Sequence, residues 1–108
     1  MNYIIFERQL QKAYAESRCK FTYEECSSIF EEYFKSYKKY TGKDHPPLRT
    51  SKLVEILNIV DYNGLFDAEC YPILIQSYFS TYFPNSDRNI CHFFSGRVRE
   101  MRFFELLL

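Results

Sequence analysis

The sequence predicts an all-α fold, a compact bundle of five or six helices forming a single helical domain over residues 1–108. Three observations carry that expectation. Apolar residues recur at spacings of three and four in successive segments, the segment ends carry residues that start or stop helices, and the connections between segments are short.

The first segment sets Tyr3, Phe6, Leu10, Ala13 and Tyr14 on one stripe, with Glu7, Arg8, Gln11, Lys12 and Glu16 on the other face. A helix from about Tyr3 to Ser17 follows. The second segment is the clearest. Thr22-Tyr23-Glu24-Glu25 matches a capping box, in which a threonine and a glutamate three residues later satisfy each other's backbone amides. Cys26, Ile29, Phe30, Tyr33, Phe34, Tyr37 and Tyr40 then follow helical spacing. Glutamates crowd the start of this helix and Lys35, Lys38 and Lys39 its end, which complements the helix dipole. Gly42 is the stop signal, so the helix runs from about Thr22 to Thr41. Phe30 and Phe34 are expected in the core.

Lys43 to Arg49 contains Pro46-Pro47 and reads as a loop. Thr50 or Ser51 then caps a short helix with Leu53, Ile56, Leu57 and Val60 inward, ending near Asp61–Gly64. The Asn63-Gly64 pair could instead turn a small hairpin. Asp67 or Glu69 precedes a fourth helix that tolerates Pro72 in its first turn. Its stripe is Tyr71, Leu74, Ile75, Tyr78, Phe79 and Tyr82, and it stops at Phe83-Pro84. Arg88 to Phe94 forms a short helical segment, Ser95-Gly96 breaks or re-caps it, and Arg97 to Leu107 is a last helix anchored by Val98 and Met101.

The chain has 10 Tyr and 11 Phe but no Trp and only 3 Gly, so its core is built from large rings. Each buries on the order of 150–250 Å². Surplus tyrosines are also suited to an interface, and Tyr62, Tyr71, Tyr78 and Tyr82, which accompany acidic residues, are read equally as core or as a surface for a basic protein partner. Net charge is zero, yet the charges are segregated. Lys35 to Lys52 carries six basic residues and one acidic; Leu53 to Asp87 carries five acidic residues and no Lys or Arg. Such polarity bears on partners rather than on fold. The start, Met1 to Phe6, lacks a basic stretch and its apolar run stops after four residues, so it does not read as a leader. No segment reaches the roughly 20 apolar residues that span a bilayer, and no membrane partner is expected. A cytoplasmic setting with Cys19, Cys26, Cys70 and Cys91 as reduced thiols is the expectation.

The patterns that carry chemistry are missing. Zinc needs about four convergent ligands, and the spacing of the four cysteines, His45 and His92 contains no C-x-x-C or H-x₃-H pair. Asp61-Tyr62-Asn63-Gly64 resembles the opening of a calcium loop, but Phe66 and Pro72 stand where that loop needs glycine and glutamate. Cys91 and His92 are neighbours, which a helix points about 100° apart, a poor nucleophile–base pair. No glycine-rich phosphate loop is present. The expectation is a protein that is not an enzyme, with no catalytic residue, no metal and no cofactor.

Binding remains. Arg97, Arg99 and Arg102 cluster on the last helix, after a short helix and a turn, like the second half of a helix-turn-helix. Two readings stand for them, a binding surface or internal partners of the acidic segment; Lys38 and Lys39 are the second candidate for binding. Cys26 and Cys70 stand where small core residues belong.

Asn89 to Glu105, with its Phe93-Phe94-Ser95-Gly96-Arg97-Val98-Arg99 centre, and Tyr33 to Pro46 resemble stretches of small uncharacterised proteins of phages and mobile elements of Gram-positive bacteria. The resemblance implies an accessory role and no activity or site. The expected function is that of a small non-enzymatic regulatory protein acting by protein–protein binding. The alternative is a nucleic-acid-binding accessory protein that uses the arginine helix and the Lys35–Lys52 segment.

Overall fold

Asn2 opens the first helix, its side-chain oxygen accepting from the backbone amides of Ile4 and Ile5. The coordinates are a computed structural model and describe residues 2–62, 64, 66–81, 83, 84, 86–96 and 98. Among the described residues the helices run in order α1 (Tyr3–Glu16), α2 (Tyr23–Thr41), α3 (Thr50–Leu57), α4 (Tyr71–Phe79) and the one-turn α5 (Ile90–Phe93), with a 3-10 turn at Ala68–Cys70 leading into α4. Among the described residues there is no strand, and the all-α expectation holds. The hairpin alternative at Asn63-Gly64 does not. Asn63 lies outside the described residues, but Asp61 O accepts from both Gly64 N and Phe66 N, and Ile59 and Val60 are in turns.

The boundaries of α2 match its sequence signals. The Thr22–Glu25 capping box is formed in both directions, at 3.1 and 2.9 Å. Gly42 closes the helix at φ 74°, a left-handed conformation that glycine adopts without a Cβ clash. The start of α3 differs from expectation. Thr50 is its first residue, Arg49 occupies the cap position, and neither Thr50 nor Ser51 caps it. The Thr50 hydroxyl instead meets the Gln9 amide, which also donates to Leu48 O at 2.5 Å and ties the Pro-Pro loop to α1.

α4 ends at Phe79 rather than running to Phe83, because its last turn bonds to side chains. Ser80 and Thr81 hydroxyls donate back to Gln76 O and Ser77 O, and the Arg88 guanidinium donates to Tyr78 O (3.1 Å) and Thr81 O (2.6 Å). Arg88 itself sits at φ 64°, outside any helix, which corrects the expectation of a helix from Arg88 onward.

α1 packs chiefly on α3 and α2 on α4, with α1 and α2 meeting between them. Phe30, Leu10, Leu57, Leu74 and Phe93 lie in one continuous apolar core. Tyr33, Tyr71 and Tyr78 are fully buried in it, so the reading of Tyr71 and Tyr78 as interface residues gives way. Each phenol reaches a polar partner: Tyr33 donates to Arg88 O (2.6 Å), Tyr71 to Val60 O, and Tyr78 pairs with His92 Nδ1 (2.7 Å). A ring that large can be buried only if its hydroxyl is satisfied. Phe34 is half-buried, not core. Cys70 is also only partly buried, because it ends the 3-10 turn at the rim of the core. Val98 is buried as expected; Met101 lies outside the described residues.

Candidate functional site

The end of α2 and the loop after it build a groove of about 470 Å³, lined by Tyr3, Glu31, Phe34, Lys35, Lys38, Lys39, Asp44 and His45. Its floor is aromatic. Helical spacing puts Tyr33, Phe34 and Tyr37 on adjoining positions of α2, and Gly42 turns the chain back so that His45 lies against all three. The ring centroids are 6.1, 4.9 and 4.8 Å away. Phe34 also packs edge-on against Phe6 of α1 at 4.9 Å, which brings Tyr3 to the groove's far wall.

His45 is 2% exposed and, tyrosines and cysteine apart, is the one buried polar side chain among the described residues. Both ring nitrogens are engaged: Nδ1 lies 2.7 Å from Pro46 O, and Nε2 accepts from Ile90 N at 2.9 Å. That arrangement requires the neutral tautomer with the proton on Nδ1. Burial pushes the imidazole below the usual histidine range, against smaller opposing effects of the Pro46 carbonyl and Asp87. The histidine therefore pins the loop to α5 rather than presenting a base to the groove.

The rim is charged. Lys35 pairs with Glu31 one turn earlier at 3.4 Å, and Lys38 with Asp44 across the Gly42 turn at 3.2 Å. All four groups are well exposed, so these pairs are weak anchors. Lys38 holds the Asp44 carboxyl below its ordinary range. Lys39 has no carboxylate partner among the described residues. Among the described residues three ammonium groups thus face two carboxylates around an aromatic floor.

A second groove of about 380 Å³ lies along the first half of α2, where Glu24, Glu25, Glu32 and Glu69 surround Ser28, Ile29, Tyr71 and Pro72. The two grooves carry opposite charge because α2 is acidic at its start and basic at its end.

The chain matches no family model, no curated protein and no solved structure.

Of the site residues expected from sequence, Lys38 and Lys39 are on the groove rim, joined by Lys35. Arg97, Arg99 and Arg102 lie outside the described residues. Tyr3, Phe34, Asp44 and His45 were not anticipated as groove residues. The signal for Phe34 was its place at the edge of the apolar stripe, next to Lys35; for His45 and Tyr3 the sequence offers none, since their approach depends on the loop's return. No group of three His, Cys, Asp or Glu able to hold a metal converges among the described residues. No described helix is long and apolar enough to cross a membrane.

Proposed function

We propose that the chain is a non-catalytic protein-binding module whose lysine-rimmed groove takes an acidic partner segment bearing an apolar or aromatic side chain. One observation carries the reading: Lys35, Lys38 and Lys39 stand around an aromatic floor formed by Phe34 and His45, with Tyr3 on the facing wall. The floor supplies apolar surface for an anchor residue, and the ammonium groups steer and select acidic flanks. Among the described residues the lining holds no Ser, Thr or Cys nucleophile, and its histidine has both nitrogens committed to the backbone, which suits binding rather than turnover. A cytoplasmic setting goes with this reading. The likeness of Tyr33–Pro46 and Asn89–Glu105 to small phage and mobile-element proteins adds an accessory, regulatory role.

The competing reading is phosphate binding along Lys35 to Lys52. Against it, Lys35, Lys38 and Lys52 each have a carboxylate within 3.4 Å, which lowers the field such a strip could offer a nucleic acid. Fluorescence anisotropy separates the two. A short labelled peptide of Asp and Glu around a central Phe-Leu pair should bind. The double substitution Lys38→Glu with Lys39→Glu should weaken it by at least about tenfold, or about 1.4 kcal/mol, without changing the melting temperature. If the double variant binds the peptide as well as the parent, the groove assignment is wrong. Duplex DNA that displaces the peptide and binds more tightly overturns it in favour of nucleic acid.

A further inference from the structure

At the other end of the α1–α2 pair, two thiols are in contact. Cys19 lies in the loop between the helices and Cys26 in the first turns of α2, with their sulfurs 3.3 Å apart. This lies within the roughly 3–3.5 Å separation of groups poised to react. Their exposures differ in a useful way. Cys26 has no solvent-accessible surface, whereas Cys19 is partly open and is flanked by the exposed cations Arg18 and Lys20. A solution reagent can reach Cys19 but can reach Cys26 only through Cys19.

We propose that Cys19 and Cys26 form a reversible dithiol that reacts with low-molecular-weight disulfides and closes to an intramolecular disulfide across the α1–α2 corner. Cys19 is the entry thiol. Its thiolate attacks one sulfur of the small disulfide, forming a mixed disulfide and expelling one thiolate. Cys26 then gives up its proton, its sulfur attacks Cys19 Sγ, and the second small thiolate leaves. The protein loses two electrons and two protons, and the small disulfide is reduced to two thiols that carry those protons.

Further features support this order. The Cys26 hydrogen bond and the Phe21 backbone amide hold the Cys19 thiol below its ordinary range despite partial burial. The hydrogen bond with Cys19, followed by burial, pushes Cys26 up, so it stays a thiol until the mixed disulfide draws it in. The loop between the helices can take up the remaining approach of the sulfurs: Ser17 to Phe21 belongs to no helix and is held at its two ends, by Ser17 N and Oγ on Tyr14 O and by Tyr14 OH on Phe21 O (2.7 Å), with Arg18 N on Asn58 Oδ1 (2.7 Å) and Cys19 N on Ser17 Oγ (3.3 Å) between them. Cys70 and Cys91 are partly exposed as well and serve as internal controls. The proposal is independent of the lysine-rimmed groove, which lies at the opposite end of α2.

The test is oxidation of the full, reduced chain with glutathione disulfide, followed by intact mass and a tryptic map without reductant. The expected product has lost two hydrogens and links the dipeptide Cys19-Lys20 to the peptide Phe21–Lys35; dithiothreitol reverses it. Cys26→Ala should stop at a glutathione adduct on Cys19, and Cys19→Ser should leave Cys26 unmodified. If Cys26→Ala fails to fold, Cys19→Ser, at a partly exposed loop position, still decides the order. A stable glutathione adduct on the parent, a linkage through Cys70 or Cys91, or modification of Cys26 in the Cys19→Ser variant overturns the proposal.

Discussion

His45 shows how one residue can organise a loop and a pH response together. Its ring is enclosed by Tyr33, Phe34 and Tyr37 and accepts the amide of Ile90, the first residue of α5. Protonating Nε2 would turn that acceptor into a second donor facing an amide. Burial is the leading cause of the depressed pKa, so the folded state binds this proton less readily than the unfolded chain, where histidine titrates near about 6.5. The stabilisation is therefore complete above that ordinary value and declines as pH falls through it toward the lower folded value. Urea denaturation should show stability falling from pH 7 toward pH 5. In His45→Gln the fall should be shallower, with lower stability at pH 7. An equal slope in both proteins would exclude His45 as its source. The sequence shows only a lone histidine beside two prolines. That it is buried follows from the rings of Tyr33, Phe34 and Tyr37, against which the Gly42 turn brings it back, and from the distant amide of Ile90, contacts that no local pattern encodes.

Helix ends were legible where the cap is local and illegible where it is distant. Thr22, Glu25 and Gly42 act within four residues of the groups they satisfy, so α2 could be bounded in advance. α4 is closed from outside by Arg88. Its guanidinium takes two carbonyls at the end of the helix and lies 5.2–5.6 Å from the rings of Tyr40, Tyr78 and Phe83, while its own carbonyl accepts from Tyr33. One residue thus joins α2, α4 and the start of α5. Lysine keeps the charge but loses the planar fork and the stacking. Arg88→Lys should cost about 2 kcal/mol by urea denaturation, from hydrogen bonds to a charged donor. A loss below about 0.5 kcal/mol would mean that the contacts behave as an ordinary surface interaction. Thr50 illustrates the opposite error: it has the right residue type for a cap, but Gln9 of α1 engages its hydroxyl.

For the whole molecule, the aromatic core and the segregated charges are two aspects of one arrangement. α2 packs against both α1 and α4 with Phe30, Tyr33 and Tyr37 inward, glutamates at one end and lysines at the other, and so places an acidic groove and a basic groove on the same domain. Phe30 and Phe34 separate core from groove. Phe30 has no exposure, and Phe30→Ala should cost about 3–5 kcal/mol. Phe34 is half-buried, so Phe34→Ala should cost roughly half as much and weaken the acidic peptide. Chemical denaturation together with peptide anisotropy checks both. Equal losses of stability, or a Phe34→Ala protein that binds normally, would place the two rings in the same environment.

The amino-acid sequence by itself determined the helical class, the stripes of α1, α2 and α4, the bounds of α2 and the basic character of its end, because periodicity, capping and charge order act over one or two turns. Tertiary structure alone decided that Tyr71 and Tyr78 are core, that Phe34 and His45 floor a groove, that Arg88 ends α4, and that Cys19 meets Cys26. The first depends on phenols finding partners such as Val60 O and His92, the next two on a loop folding back, and the last on the α1–α2 corner. Each is a contact between segments whose positions are set by packing, and packing is a property of the assembled core rather than of any window of sequence.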